Sequence, residues 1–473
     1  MTGSGKRVRP LPEGIESYEG ALRTFEKSRG AGMVSWMEPI RKSALDKFRK
    51  TGFPTSKLED WKYTNVTPFV RSPFQFSFEP LANGLDEKKI SSLLLGGKGG
   101  PVLVFVNGLF SEKHSNVFPS PLPLSPEGRG QGEGVKAPVP LVALSLAEAL
   151  EKDPDLVKRY LTQIAPFEQN GFTALNAAFI RDGAFIHLPE GKISEKPIHL
   201  IFISLPSVDN LLIQPRNLIV LEKGSRATLI ETYISFSERP YFTNAVTEVV
   251  VGEAASLNHL KIQRESSQGA GHVAGIEARV EKLGRYNSFS LSLGARLDRE
   301  NLNVLLAAEG AECSLDGLYL VSHGRHVDHH TVIDHQRPLG TSRQLYKGIL
   351  TGKSTAVFNG KVFVRREAPK SDATQTNKNI LLSKEAVVDT KPQLEIDTDD
   401  VKCTHGAAVG QLDPDQLFYL RSRGIGEGEA RDILTRGFAS EVIDRFEDEA
   451  VRARLTELVW DWLEKERAGK VPA

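Results

Sequence analysis

The chain has 473 residues, with Lys+Arg and Asp+Glu equal at 60 each, so its formal net charge is zero. That balance argues against a dedicated nucleic-acid binder, which carries a basic excess or stripe, and no apolar run approaches the roughly 18 residues a membrane-spanning helix needs. Two cysteines, Cys313 and Cys403, exclude a disulfide framework and suit a reducing compartment. Lys6, Arg7 and Arg9 have no apolar segment behind them, as a secretory leader would require, so the expected location is cytoplasmic.

Along the chain, Ile15, Tyr18, Leu22 and Phe25 recur at helical spacing. A second helix carries Ile40, Ala44, Leu45 and Phe48, with Pro39 in its first turn and Gly52, Phe53 and Pro54 as its stop. Residues 120–140 are dense in Pro and Gly and too poor in large apolar side chains to offset chain entropy. They predict a disordered insertion within a helical or mixed N-terminal region spanning 1–165. Helical spacing resumes from Leu141 to Tyr160, through Leu144, Leu146, Leu150 and Leu156.

From 166 to 410 the pattern changes to strands. Ser288 to Leu293 alternates strictly between serine and apolar residues, and Leu302, Val304 and Leu306 repeat that period of two. Gly224, Gly252, Gly284 and Gly310 recur at intervals of 28, 32 and 26 residues. Turn signals at that pace, with short strands between, predict stacked coils and hence a β-solenoid. A sandwich or barrel, turning about every 8–12 residues, is the alternative. From 411 to 473 the chain reads as helical again. Asp413 is an N-cap with Pro414 at the first position, Leu417, Tyr419 and Leu420 follow, and Gly424 ends the helix. Two more helices are expected at Ala430–Thr435 and Asp448–Lys465, the latter with Val451, Leu455, Leu458, Val459 and Trp462 on one side.

Four segments invite a chemical reading. Gly348 to Thr355 has only three residues between Gly348 and Gly352 where a phosphate loop needs four, and a strand pattern follows instead of a helix. His323, His326, His329, His330 and His335 lie among Asp328 and Asp334, donors suited to iron or zinc. In a strand, however, His326, Asp328, His330 and Asp334 take one face and His329 and His335 the other, which favours solvated or stacked side chains over a single site. Cys403 and His405 are two apart, hence on one side of an extended backbone. Two ligands are too few for a closed zinc site but enough for half of a shared one; a buried Cys beside a hydrogen-bonded His is the structural alternative. Cys313 has no partner nearby and reads as packing.

Several stretches together carry a family resemblance. These are Phe53-Pro-Thr-Ser-Lys-Leu-Glu59-Asp60-Trp61-Lys-Tyr63-Thr64, Leu175-Asn176-Ala-Ala-Phe179 with Asp182-Gly183, His326-Val-Asp328-His-His330, Cys403-Thr-His405-Gly406 and Asp415-Gln416-Leu417-Phe-Tyr419. The chain resembles the SufB/SufD family of scaffold subunits of the SUF iron–sulfur cluster assembly machinery. The resemblance implies a mainly β fold, a right-handed parallel β-helix core flanked by N- and C-terminal α-helical domains. It implies a non-catalytic scaffold that pairs with SufB across the β-helix cores and docks the ATPase SufC on its C-terminal helices. Leu417, Leu420, Ile425 and Phe438 are the docking candidates. The cofactor implied is iron or an iron–sulfur cluster, transient and shared with SufB, with no nucleotide held by this chain. Asn377-Lys378-Asn379 has no cysteine where SufB-like chains carry one, and Thr404-His405-Gly406 replaces their Glu-His-Glu, so the SufD branch fits better. His405 then carries over as the interface ligand, with Cys403 beside it. A homodimer of the isolated chain is a further option. The rival reading is a self-sufficient metalloenzyme built on His323–His335.

Overall fold

The structure, a computed structural model, describes residues 20, 35–70, 74–76, 85–96, 99–116, 141–168 and 170–469. The expected helix through Ile15 and Phe25 and the Pro/Gly-rich insertion lie outside the described residues.

The core is a parallel β-solenoid of about eight turns. Its strands are β1 (Ala184–Leu188), β2 (Ile198–Ser204), β3 (Arg216–Leu221), β4 (Arg226–Ser235), β5 (Tyr241–Val251), β6 (Ser256–Arg264), β7 (Ala270–Val280), β8 (Arg285–Ser292), β9 (Leu297–Leu306), β10 (Glu312–Val321), β11 (His326–His335), β12 (Thr341–Leu350), β13 (Thr355–Val364), β14 (Asp372–Leu381), β15 (Val387–Ile396) and β16 (Lys402–Gly410). Odd-numbered strands stack in one sheet and even-numbered strands in the other, every neighbour parallel. The register advances by one coil per rung, as from Tyr241 to Ala270, Leu297 to His326 and Thr355 to Val387. The glycine pace in the sequence is this coil length.

One corner shows why small residues recur there. Gly224, Ala254, Leu283, Gly310 and Leu339 all have positive φ, and each donates its N–H to a carbonyl in the next coil. Left-handed backbone favours glycine, and Gly224 and Gly310 supply it at φ +66° and +67°. Gly252 answers a different need: a Cβ there would sit 2.7 Å from the Leu221 carbonyl oxygen.

The alternation in each strand divides side chains between lumen and exterior. Leu302, Val304 and Leu306 enter the lumen, beside Ile219, Leu257 and Phe358. In β8 the polarity is reversed: Phe289 and Leu291 pack outward, while Ser290 and Ser292 bond to Glu300 and His329 across the lumen. The outward set is covered by helices, so both faces of the even sheet are buried.

Helices flank the solenoid on both sides. α1 (Met37–Thr51) packs on α2 (Gly171–Ala178), and Phe48, Phe172 and Leu175 join Leu218 and Phe242 on the outer face of the odd sheet. Gly52 closes α1 at φ +63°, as its position predicts. Part of the expected Leu141–Tyr160 helix is instead a strand, Val142–Ser145, before helices at Leu146–Lys152 and Pro154–Tyr160. Val142–Ser145 pairs antiparallel with β1, and that tertiary pairing overrides the helical spacing. At the C-terminus, α3 (Pro414–Ser422) is capped by the Asp413 carboxylate, and α4 (Glu427–Ile443) is longer than its pattern suggests. α5 (Glu449–Arg467) starts at the Asp448 cap and buries Val451, Leu455, Leu458, Val459 and Trp462. These side chains meet Leu260, Leu291 and Leu320 of the even sheet. Each fully buried Leu of this kind contributes roughly 1.5–3 kcal/mol relative to an exposed one.

The two ends of the solenoid differ. At the first coil, Val102–Val106 extends the even sheet and Val142–Ser145 the odd one. At the last coil, β15 and β16 pair on one side only among the described residues.

Candidate functional site

The open end of the solenoid holds Cys403 and His405. Both lie on β16, in columns set by the register of the even sheet. Cys403 continues the column Tyr286, Cys313, Ser342 and Ala373, and packs half-buried against the lumen core. Burial pushes its thiol pKa up, against the Ala373 backbone hydrogen bond and with help from the Asp372 charge. It is therefore a protonated thiol near neutral pH. Cys313, three coils earlier, is 4% exposed and its thiol is raised further by burial, as a packing residue. His405 follows Gln375 in its column and is exposed.

Along the same last coil, Val387, Ile396 and Val409 expose apolar surface at 51%, 41% and 44%. Val388, Leu394 and Val401 are only partly covered where the lumen core runs out. Unpaired strand edges and an incompletely covered core at one place make this end a template for another strand. Among the described residues no three His, Cys, Asp or Glu side chains come together as a metal site, so Cys403 and His405 form no self-contained centre.

The 323–335 histidines are dispersed as the strand period predicts. His329 and His335 enter the lumen, His329 stacking on Tyr319 at 5.4 Å and His335 Nε2 lying 2.9 Å from Ser342 Oγ. His323 lies 3.2 Å from Glu466 on α5. His326, Asp328 and His330 face outward into a structural clamp. Asp328 accepts from Arg299 Nη1 at 2.6 Å, from the Thr64 hydroxyl and from His330 Nε2 at 3.0 Å. The Arg299 and His330 charges hold its carboxyl well below the usual range despite burial. His326 is pushed down by burial and meets Thr64 Oγ1 at 2.8 Å. Arg299 also stacks 3.7 Å from the Trp61 ring centroid and donates to the Asp60 carbonyl. Lys361 bonds Asp60 at 2.9 Å and Lys391 bonds Glu59 at 2.7 Å. The Glu59-Asp60-Trp61 motif, together with Thr64, thus pins the N-terminal segment to four successive coils. The rival metalloenzyme reading loses its ligand set to this clamp and to the lumen.

Gly348–Thr355 spans the end of β12, a turn and the start of β13. It forms no helix that could face a phosphate.

At the C-terminus, Leu417 and Leu420 on α3 and Ile425 in the link to α4 are half-buried. Phe438 packs toward the even sheet, with Lys347 Nζ 3.9 Å from its ring centroid. Phe418, Tyr419 and Ile433 are exposed at 73%, 56% and 42%, and the sequence reading did not single out Phe418 or Ile433. A buried lumen network also escaped it: Lys261 pairs with Glu300 at 3.0 Å, and Glu231 lies 3.4 Å from His259. These residues are far apart in sequence and meet only through stacking.

Comparison with known proteins adds independent findings. The family described as "SUF system FeS cluster assembly, SufBD core domain" matches residues 204–438, and "SufBD protein N-terminal region" matches residues 15–200. An iron–sulfur cluster assembly SufBD family protein of Synechocystis is 31% identical over 89% of this chain and 89% of its own length. The iron–sulfur cluster assembly protein SufD of Escherichia coli is 30% identical over 88% of this chain and 91% of its own. SufD of Bacillus subtilis is 26% identical over 90% and 93%.

Proposed function

The chain belongs to the SufBD family of the SUF iron–sulfur cluster assembly system, and from that premise we propose that it is a SufD-type scaffold whose open solenoid end joins a SufB β-helix to enclose the assembly site. One observation carries the reading: unpaired edge strands and the Cys403–His405 pair coincide at the last coil. A partner's strands would continue both ladders there and cover Val387, Ile396 and Val409.

In this arrangement iron or a nascent cluster is the cargo. His405 supplies a neutral imidazole nitrogen, and the partner supplies the remaining ligands. Cys403, protonated when free, becomes a ligand only by releasing its proton on binding, which metal coordination favours. The scaffold itself is non-catalytic, and nucleotide chemistry belongs to SufC. SufC docks on α3 and the start of α4, through Leu417, Leu420 and Ile425 with the adjoining exposed Phe418, Tyr419 and Ile433. Phe438, further along α4, is tied to the even sheet by Lys347.

Co-expression with SufB and SufC, followed by anaerobic quantification of iron and sulfide, tests the proposal. His405→Ala should leave folding and SufC binding intact while lowering cluster yield. An unchanged yield removes His405 from the site. Failure to co-purify with SufB, or a tight homodimer that excludes it, overturns the pairing.

A further inference from the structure

We propose that Gln375 is a positioning residue: its side-chain carbonyl accepts a ring N–H of His405 and so turns the other imidazole nitrogen toward the open end. This rests on the reading of His405 as an interface ligand. The residues involved span adjacent coils of the even sheet, where Gln344, Gln375 and His405 are successive register partners in one column.

The direction of the hydrogen bonds along this column sets the direction of the amides. Gln344 Nε2 donates across the lumen to Thr331 Oγ1 at 2.7 Å. Gln375 Nε2 donates to Gln344 Oε1, also at 2.7 Å. With its nitrogen committed to the coil before, Gln375 directs Oε1 away from that coil. This oxygen is buried and has no hydrogen-bond partner, although Gln375 as a whole is 1% exposed. The next residue in the column is His405. The glycine at 360 makes room for the arrangement, since a Cβ there would lie 1.9 Å from Gln375 Nε2.

A buried acceptor without a donor is costly, and an imidazole N–H relieves it. The same bond decides the tautomer of His405, because the nitrogen that donates cannot also offer its lone pair. Ligating histidines are held in this way by carbonyl or carboxylate acceptors behind them.

The test uses nitrogen-15 labelled histidine in the full chain, with the His405 signals assigned from their loss in His405→Asn. In alkaline buffer one His405 ring N–H should exchange slowly with water. Gln375→Met, which keeps the length and removes the acceptor, should speed that exchange about fivefold, the scale of one ordinary hydrogen bond. Gln375→Glu retains an acceptor oxygen and should restore the protection. Equal exchange in the parent chain and in Gln375→Met, with the fold intact by circular dichroism, overturns the proposal. If Gln375→Met does not fold, absence of a slowly exchanging His405 N–H in the parent chain overturns it equally. Cluster yield does not enter this readout, so the positioning role and the His405 site stand or fall separately.

Discussion

Replacing Asp328 with alanine should detach the N-terminal clamp and destabilise the chain by about 3–5 kcal/mol, the cost of breaking a buried ion pair from one side. The structure explains the size. Asp328 and Arg299 are each 1% exposed, and their bond is 2.6 Å. Without the carboxylate, Arg299 keeps only neutral acceptors, Asn301 Oδ1 and the Asp60 carbonyl, while Thr64 and His330 lose theirs. Those neutral bonds keep the loss toward the lower end of that range. Urea unfolding gives the energy, and limited proteolysis around residues 53–64 reports the clamp directly. The paired change Arg299→Met with Asp328→Leu should recover most of the stability, because neither charge must then be desolvated. A loss below about 1 kcal/mol for Asp328→Ala, or a double variant no better than the single one, would refute this account. The pH dependence has a definite sign. The folded carboxyl lies below its unfolded value, so its contribution is complete above an unfolded pKa of about 3.9, fades as pH falls below that and is gone once pH has passed the lower folded value. The clamp should hold at pH 4.

Three further outcomes are expected. Glu277, on the outer face of the odd sheet, is pushed up to about 8 by burial and by the Glu248 charge, against an Asn303 bond of 2.6 Å. The folded chain therefore holds a proton that the unfolded chain has released, and stability falls as pH rises from the unfolded carboxyl range to about 8; Glu277→Gln should flatten that fall in thermal scans at successive pH values. In native protein, Cys403 should alkylate slowly and Cys313 only after unfolding, as mass spectrometry of the two peptides would show. Trp462→Ala should cost about 3–5 kcal/mol in urea unfolding, because its ring packs against the even sheet and its Nε1 donates to the Leu293 carbonyl at 3.2 Å.

Local signals in the sequence were enough for the turns and the caps, and they favoured a solenoid while leaving a sandwich or barrel open. The spacing of Gly224, Gly252, Gly284 and Gly310 matches the coil because every turn needs a small residue, for left-handed backbone at Gly224 and Gly310 and for close approach of the neighbouring coil at Gly252 and Gly284. Asp413 with Pro414, and Asp448 before α5, marked helix starts by the same local logic. The period of two by itself separates His326, Asp328 and His330 from His329 and His335.

That period could not say which face was the lumen. Phe289 and Leu291 point outward because α4 and α5 cover the even sheet, and nothing within Ser288–Leu293 encodes those helices. Column partners were equally hidden. Gln375 meets His405 thirty residues on, and Asp328 meets Thr64 across a sequence separation of 264, only because parallel coils are held in one register. A residue's turn and its face follow from its neighbours in the chain; what it touches across a coil depends on the summed length of the strands and turns between, which only the folded solenoid fixes.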